Sequence, residues 1–286
     1  MCRFTAYIGK PIILAEVLFQ PKNSLIRQSM HAREMADKDP TNGDGFGVGW
    51  YNPEISSDPA LFTSVLPAWN DQNLLYISPK IYSSCFLAHV RAASQGGVSQ
   101  FNCHPFHYQR FLFMHNGTIG GFSILKRHIR HLMSDPIYDW VKGQTDSEHF
   151  AGLFLENFFK QKVHYHIEEF AKIFIMTLHQ INKLREKYEV KETAYINYVI
   201  SDGRSLLAAR YTSDLKEGAS TLYYSAGDSL CIQDGICHMP KTKSEHGAVL
   251  VVSEKLDSHQ ADWQEVPINQ MLLVDDDLSI KTMKVE

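Results

Sequence analysis

The sequence lacks the excess of positive charge that nucleic-acid-binding proteins carry. Its 286 residues include 28 Lys and Arg against 32 Asp and Glu, which gives a formal net charge of -4. Such a chain has no overall basic field to attract a phosphate backbone. We therefore expect no nucleic-acid partner.

Long hydrophobic runs and targeting signals are also missing. No stretch approaches the roughly 18 uninterrupted apolar residues of a membrane span, and the N-terminus has neither a basic region nor a long apolar segment. The cysteines are odd in number and none is in a CxxC pair, which suits a reducing compartment; they are Cys2, Cys85, Cys103, Cys231 and Cys237. These features predict a cytoplasmic protein without a membrane partner.

Metal and cofactor signatures are scarce as well. Fourteen histidines are present, but none is in an HExxH pattern or beside paired cysteines, as zinc sites require. The glycine-rich segment 42–51 ends as a strand and does not lead into a helix, so it is a poor match to a dinucleotide-binding loop. Its alternating glycines indicate instead that something packs against the backbone. We expect no metal and no cofactor.

What the sequence does contain is an order of strands, then helices, then strands. Hydrophobic residues make up 44% of the chain and charged residues 21%, which is typical of a folded globular protein. A helix is predicted from Pro11 to Phe19, a loop-rich surface segment over 52–80, and a long helix over about Ile167–Tyr188. Asp202-Gly203 predicts a hairpin. We expect one α+β domain over residues 1–286, with two packed sheets and helices outside.

The first strand begins at Cys2. Alternating apolar residues through Ile8 predict a half-buried strand at the very start of the chain. If Met1 is removed, Cys2 carries both a thiol and an α-amine, which titrates near ~7.7–8.0 and can act as a base. The other interpretation is that Cys2 is only a small second residue that permits Met1 removal.

Further polar motifs follow in a fixed order. Arg91 comes after an apolar strand, Asn116-Gly117 after another, and Asp146 opens an apolar helix within the capping-box pattern Thr145–Glu148. Taken singly, Arg91 could form a surface ion pair, Asn116-Gly117 a plain turn, and Asp146 a helix cap.

The ordered set, however, resembles the glutaminase domain of class II glutamine amidotransferases, which are N-terminal-nucleophile hydrolases. The motifs are Cys2-Arg3, the segments 89–94 and 102–106, His115-Asn116-Gly117 and 145–148. With segment 42–51, they look most like the stand-alone branch, which includes the ergothioneine-pathway γ-glutamyl hydrolase and the amidotransferase subunit of cytosolic glutathione degradation. The resemblance implies a four-layer αββα sandwich of two mainly antiparallel sheets and a mature chain that starts at Cys2.

The resemblance also implies roles for individual residues. Cys2 is the expected nucleophile, which attacks a γ-glutamyl amide and forms a thioester. Asn116 and Gly117 are the expected oxyanion hole. Arg91 is expected to bind the α-carboxylate and Asp146 the α-ammonium of the substrate.

Two further positions have less definite roles. Ser94 is expected to line the glutamyl pocket. His104, in the Asn102-x-His104-Pro105-Phe106 motif, is left without a catalytic role.

Three functions remain open at this point. The chain is expected to hydrolyse the γ-glutamyl amide of glutamine or a γ-glutamyl compound, releasing glutamate and ammonia or an amine. It could instead supply ammonia to a separate acceptor protein, because the expected glutaminase domain accounts for all 286 residues. A non-catalytic interaction subunit is the third alternative.

Overall fold

Strands lie in the first and last parts of the chain, and the longest helices lie in its middle third. The computed structural model describes residues 2–34, 41–93, 96–241, 247–259 and 262–285. In chain order, the strands of these residues are β1 (Arg3–Ile13), β2 (Phe46–Asn52), β3 (Ser56–Ser64), β4 (Tyr82–Val90), β5 (Phe106–Tyr108), β6 (Phe111–Thr118), β7 (Tyr195–Ser201), β8 (Leu206–Thr212), β9 (Tyr223–Gly227), β10 (Cys231–Gln233), β11 (Ile236–His238), β12 (Ala248–Val252), β13 (Gln264–Glu265), β14 (Gln270–Val274) and β15 (Ile280–Lys284).

The helices lie in two groups, one before β4 and one between β6 and β7. They are α1 (Leu14–Phe19), α2 (Leu25–Met30), α3 (Gln72–Ile77), α4 (Phe122–Arg130), α5 (Asp135–Trp140), α6 (Asp146–Gln161) and α7 (Ile167–Lys187). Short 3-10 turns lie at Ala68–Asn70, Ser78–Lys80 and Gln100–Asn102.

Two antiparallel sheets form the two central layers. The first sheet has the order β13-β9-β12-β1-β4-β2-β3, and the second has the order β15-β14-β8-β7-β6-β5. A small ribbon, β10-β11, stands apart from both. The side chains between the sheets form one apolar core, in which Phe4 and Ile8 of β1 belong to the same cluster as Leu112 and Met114 of β6.

Helices cover the outer face of each sheet. A cluster that includes Leu14 of α1 and Leu25 of α2 packs on the first sheet. A larger, phenylalanine-rich cluster joins α4, α6 and α7 to the second sheet. The expected four-layer αββα sandwich is therefore confirmed.

β1 lies inside its sheet and is buried on both faces. It pairs with β12 on one side and with β4 on the other, and residues Arg3 to Ile8 are all buried. The sequence predicted a strand with one buried face, because Arg3 and Thr5 are polar. The helical layer outside the first sheet covers the second face of β1 and buries these polar side chains as well.

The predicted helix from Pro11 is wrong in its first part. β1 continues to Ile13, and α1 begins only at Leu14. The pairing of β1 with β4 shifts register between Ile8 and Ile12, so Pro11 lies at an irregularity. Such an irregularity tolerates a residue without a backbone N–H.

The prediction that residues 52–80 are rich in loops is also wrong, because most of them lie in regular elements. This segment contains β3, which pairs with β2 at the edge of the first sheet, followed by α3 and two 3-10 turns. Pro59 lies in β3, where the edge position leaves one side of the strand without a partner in its sheet. The prolines suggested a loop because an edge strand and a loop accept them equally well.

Other predicted elements are confirmed by the structure. α7 ends at Lys187, one residue short of the predicted end, and its stripe of Phe170, Phe174 and Leu178 is buried. β7 and β8 form the expected hairpin around Asp202 and Gly203. Among the described residues, no helix is long and apolar enough to cross a membrane.

Candidate functional site

Segments that are distant in the sequence meet at one small cavity. Its volume is about 20 Å³, and it is lined by Cys2, Arg91, Ala92, His104, His115, Gly117, Thr145, Asp146 and Ser147. We call it the central cavity. This volume holds about one water molecule, so a bound amino acid requires the lining residues to move apart.

Four of the residues predicted for the site line this cavity: Cys2, Arg91, Gly117 and Asp146. Asn116 precedes Gly117 in β6 and is buried, but it is not among the described lining residues. Ser94, the remaining predicted residue, lies outside the described residues.

Cys2 immediately precedes β1, and its thiol is held by a carbonyl group. Its Sγ donates to the carbonyl oxygen of Ala92 over 3.4 Å. Burial raises the pKa of the thiol, and the charges of Arg91 and Arg3 oppose this shift only in part. At neutral pH the protonated thiol is therefore favoured, and a base is needed to make the nucleophilic thiolate.

A buried ion pair holds the backbone of Cys2. The Nε of Arg3 donates to Oε2 of Glu254 over 2.8 Å, and both side chains are almost fully buried. Nη1 of Arg3 donates to the carbonyl oxygen of Cys2 over 2.9 Å, and Nη2 donates to the carbonyl oxygen of Glu34. Local sequence patterns carry no signal for this pairing, because 251 positions separate its members.

Glu254 is the centre of this polar cluster. Its carboxylate also accepts hydrogen bonds from Nδ2 of Asn23 and from the backbone N–H groups of Arg33 and Glu34. Burial alone raises the pKa of Glu254, but these hydrogen bonds and the charge of Arg3 outweigh it and lower the pKa overall. Glu254 is therefore ionised near neutral pH and compensates the buried charge of Arg3.

Arg91 follows β4 and is buried, so it is not a surface residue, as its sequence context had allowed. Nη1 donates to the carbonyl oxygen of Gly97 over 3.2 Å, and Nη2 donates to that of Gly96 over 3.3 Å. Its backbone N–H donates to the carbonyl oxygen of Gly45 over 2.9 Å. The guanidinium is thus held among carbonyl groups at the edge of the central cavity.

The glycine-rich segment 42–51 packs closely against its neighbours, as the sequence indicated. A Cβ added to Gly47 would lie 2.3 Å from the carbonyl oxygen of His104. A Cβ added to Gly45, where φ is +109°, would lie 2.7 Å from Sγ of Cys103. Asp44 accepts a hydrogen bond from the N–H of Ala93 over 2.7 Å. These contacts join segment 42–51 to the segments around Arg91 and His104.

Asn116 and Gly117 lie in regular β6 pairing with β7, and not in a turn. Gly117 has a φ of +155°, and a Cβ there would lie 1.9 Å from the carbonyl oxygen of Tyr195. Only glycine fits this position. The side chain of Asn116 is buried, and its Oδ1 has no hydrogen-bond partner in the described part of the chain.

Asp146 is the first residue of α6, and Thr145 is the cap. Oγ1 of Thr145 accepts from the N–H of Glu148 over 3.2 Å. The carboxylate of Asp146 accepts from the N–H of Ile119 over 2.7 Å and from the N–H of Ser147 over 2.9 Å. Asp146 therefore ties α6 to the end of β6, and it keeps acceptor capacity towards the cavity because a carboxylate has about four acceptor positions.

Two buried histidines, His104 and His115, line the central cavity, and a third, His89, lies behind His104; sequence reasoning gave none of them a role. His104 stacks on His89 with ring centroids 4.1 Å apart, and neither ring nitrogen of His104 has a hydrogen-bond partner among the described residues. Nδ1 of His115 lies 2.9 Å from Oγ of Ser147. Burial lowers the pKa of all three, so they are neutral. All three lie within the motifs quoted from the sequence, at the start of segment 89–94, in segment 102–106 and in His115-Asn116-Gly117, and this was the available signal.

The described residues contain no group of three or more His, Cys, Asp or Glu side chains that could hold a metal ion. The cysteines are all unpaired. The side chains that line the central cavity carry a thiol, a guanidinium, a carboxyl group, two imidazoles and two hydroxyl groups.

Comparisons with known proteins agree on one family. The family model "Glutamine amidotransferases class-II" matches residues 25–285. A Saccharomyces cerevisiae protein described as the probable glutamine amidotransferase DUG3 is 35% identical over 291 residues, which cover 96% of this chain and 82% of the yeast protein. The γ-glutamyl-hercynylcysteine sulfoxide hydrolase of Mycolicibacterium smegmatis is 32% identical over 120 residues, which cover 42% of this chain and 52% of the hydrolase.

A solved structure extends this agreement to the fold. The glutamine aminotransferase class-II domain protein of Silicibacter pomeroyi superposes with a TM-score of 0.67 at 26% identity, and the match covers 99% of each chain. The family model matches more than nine-tenths of the sequence, and the yeast relative aligns with nearly all of it. This chain therefore belongs to the class II glutamine amidotransferases and is an enzyme.

Proposed function

We propose that this enzyme hydrolyses the γ-glutamyl amide bond of glutamine or of a γ-glutamyl compound through a thioester on Cys2. The observation that carries the proposal is the central cavity, where Cys2, Arg91, Gly117 and Asp146 come together from four separate segments. Membership of the class II amidotransferases supplies the reaction class.

The first step needs a base, because burial raises the pKa of the Cys2 thiol. After removal of Met1, the α-amine of Cys2 takes the thiol proton directly or through a water molecule. The thiolate then attacks the γ-carbonyl carbon and forms a C–S bond. Gly117 N–H and the Asn116 side chain donate to the oxyanion of this tetrahedral intermediate.

The intermediate collapses when the C–N bond breaks. The α-amine passes its proton to the departing nitrogen, which leaves as ammonia or a larger amine. A water molecule then attacks the thioester and gives its proton to the α-amine. The C–S bond breaks, glutamate leaves, and the protonated α-amine returns its proton to the departing thiolate, which restores the thiol of Cys2.

Recognition of the substrate uses its amino-acid end. The guanidinium of Arg91 pairs with the α-carboxylate and replaces contacts with Gly96 and Gly97. The carboxylate of Asp146 accepts a hydrogen bond from the α-ammonium. The central cavity must widen to admit the substrate, since its volume is about 20 Å³.

The first experiment is a substrate panel measured on protein whose N-terminus is known. Glutamine and γ-glutamyl dipeptides are assayed for glutamate release, and intact mass shows which fraction of the preparation starts at Cys2. Hydroxylamine is added in parallel, because it converts a γ-glutamyl thioester to a γ-glutamyl hydroxamate. We expect turnover and hydroxamate only from the fraction that starts at Cys2.

Each part of the proposal has its own contrary outcome. Full turnover from protein that entirely retains Met1 would remove the α-amine as the base. Ammonia release only after addition of a candidate acceptor protein would favour a glutaminase subunit over an independent hydrolase. Absence of glutamate release from every γ-glutamyl compound, with or without such a partner, would favour a non-catalytic subunit.

A further inference from the structure

A second cavity, of about 420 Å³, lies between α4 and α5. Its described lining residues are all polar, and four of them are basic or histidine; they are Ser123, Lys126, Arg127, Arg130, His131 and Tyr138. We call it the basic cavity. It shares no described lining residue with the central cavity. The cavity therefore has a local excess of positive charge, although the net charge of the whole sequence is -4.

The cations of α4 are close together and weakly compensated. Lys126 and Arg130 are one helical turn apart, a spacing at which like charges repel. Burial and the charge of Arg130 lower the pKa of Lys126. Within the described ranges, Lys126, Arg127 and Arg130 form no ion pair with a carboxylate. This repulsion is relieved if an anion occupies the cavity.

Glu148 is the acidic residue that attracts both Lys126 and Arg130. Its Oε1 accepts from the N–H of Lys142 over 3.0 Å, and its Oε2 accepts from the N–H of Gly143. Glu148 is not among the described lining residues of the basic cavity. Its carboxylate therefore stabilises the backbone before α6 and leaves the basic cavity without an acidic group.

The guanidinium of Arg130 is held in position before any ligand binds. Its Nε donates to Nε2 of His149 over 2.8 Å, and its Cζ lies 5.3 Å from the ring centre of Tyr138. Burial lowers the pKa of His149 to about 4, so this histidine is neutral and its Nδ1–H donates to the carbonyl oxygen of Thr145. The Nη groups of Arg130 have no hydrogen-bond partner in the described parts of the chain. They remain available to a ligand.

We propose that the basic cavity binds the phosphate group of a small molecule. Arginine and lysine together provide the planar and point-charge donors that phosphate accepts. A phosphate monoester carries about -1.5 to -2 charges at pH 7, which matches three clustered cations better than a single carboxylate does. The volume of the basic cavity is within the range of roughly 300–1,000 Å³ that is typical of small-molecule sites. A protein partner with an acidic surface could bind to a flat basic surface, so the concave shape favours a small molecule.

The test is a calorimetric titration of the full chain with sodium pyrophosphate at low ionic strength. Three variants are compared: Lys126→Glu and Arg127→Glu in the basic cavity, and Lys183→Glu on the exposed surface of α7 as the matched charge reversal. Each reversal in the cavity removes a charge-assisted contact, so we expect affinity to fall by about tenfold or more. Lys183→Glu should bind as the unaltered protein does.

Two additions make the titration specific. Saturating glutamate fills the central cavity, and pyrophosphate should still bind with unchanged affinity. Glutarate tests a dicarboxylate and should bind at least about tenfold more weakly. Equal loss of affinity in all three variants, competition by glutamate, equal binding of glutarate, or no heat of binding would each overturn the proposal. The readout is binding, so it is independent of whether the proposed hydrolysis occurs.

Discussion

Arg3 and Glu254 form a buried ion pair that reaches the backbone of Cys2 through a single hydrogen bond. The pair joins the start of β1 to the residues after β12. Its guanidinium fixes the direction of the Cys2 carbonyl group. Since the amine and the thiol share the Cα of Cys2, the pair also restricts where both can point.

Glu254→Gln should therefore reduce both stability and kcat. Loss of one member of a buried pair leaves an uncompensated charge and costs about 3–5 kcal/mol. We expect kcat to fall by more than about tenfold at temperatures where the variant is folded, with little change in KM, because Arg91 and Asp146 are untouched. Thermal unfolding and steady-state kinetics measure the two effects.

Asp202→Asn is the matched control for this variant. Asp202 also forms a largely buried pair with an arginine, Arg110, over 3.1 Å, but it lies outside the described lining of the central cavity. The Asp202→Asn variant should have a lower unfolding temperature than the unaltered protein and the same kcat. If both variants lose kcat in proportion to stability, Arg3 and Glu254 have no special role in positioning Cys2.

Gly117→Ala should be among the most damaging single substitutions. The added Cβ would lie 1.9 Å from the carbonyl oxygen of Tyr195 and 2.8 Å from Nε2 of His115, at a φ of +155°. The β6-β7 pairing must shift, and we expect a loss of more than about 3 kcal/mol in the free energy of unfolding. Denaturant unfolding gives this value.

Gly97→Ala is the control for Gly117→Ala, because nothing lies within 4 Å of a Cβ at Gly97. This control should unfold within about 1 kcal/mol of the unaltered protein. Equal stability of the two variants would mean that the geometry at Gly117 is not restrictive.

Substrate recognition can be divided between Arg91 and Asp146. Arg91→Lys loses the planar two-point contact with a carboxylate, so KM for glutamyl substrates should rise by at least about tenfold. Asp146→Asn should reduce discrimination between substrates with a free and an acetylated α-amine. Steady-state kinetics on both substrate types give these values. Unchanged kinetics in both variants would show that the amino-acid end binds elsewhere.

Cys2→Ala and Asn116→Ala should separate binding from chemistry. Cys2→Ala deletes the covalent step and should abolish turnover while glutamine still binds. Asn116→Ala removes a donor to an oxygen whose charge develops in the transition state, so kcat should fall by roughly 10²–10³. Calorimetric titration with glutamine, paired with kinetics, tests both. If Asn116→Ala weakens binding and leaves kcat intact, Asn116 contacts the ground state.

The buried histidines predict loss of stability in mild acid. Burial lowers the pKa of His89 to about 3 and that of His149 to about 4. In the unfolded chain each histidine takes up a proton near pH ~6.5, so the unfolded state binds more protons and stability falls as pH decreases below that value. Between pH 7 and 5, each should cost about 2 kcal/mol.

Denaturant unfolding at pH 7, 6 and 5 tests this prediction. His149→Gln should reduce the slope of stability against pH, whereas His164→Gln, a substitution at an exposed side chain, serves as the control. A slope that is the same in both variants would mean that His149 is not buried in its neutral form.

The sequence predicted the elements whose patterns are local. α6 and α7 were found because capping residues and apolar stripes repeat within a few residues, and the β7-β8 hairpin because Asp202-Gly203 is a local turn signal. β3 and the end of β1 were missed because Pro59 and Pro11 are tolerated only at an edge strand and at a register shift. Both conditions depend on neighbouring strands.

In the candidate site, too, residues in short motifs could be predicted from the sequence, whereas contacts between distant segments could not. The resemblance assigned roles to Cys2, Arg91 and Asp146 from short motifs, and the structure brings these residues to one cavity. The resemblance could not indicate Glu254, because this residue comes close to Arg3 only through the pairing of β1 with β12. The environment of His104 was equally hidden, because its stacking on His89 depends on packing between distant segments.

The interior position of β1 also sets an order of events during synthesis. Its partner strand β12 spans Ala248–Val252, and Glu254 follows it, so the surroundings of Cys2 are complete only after residue 254 has left the ribosome. An aminopeptidase needs an extended and accessible N-terminus. The excision of Met1 that we propose would therefore have its best opportunity on the nascent chain, before β12 encloses the strand that begins beside Cys2.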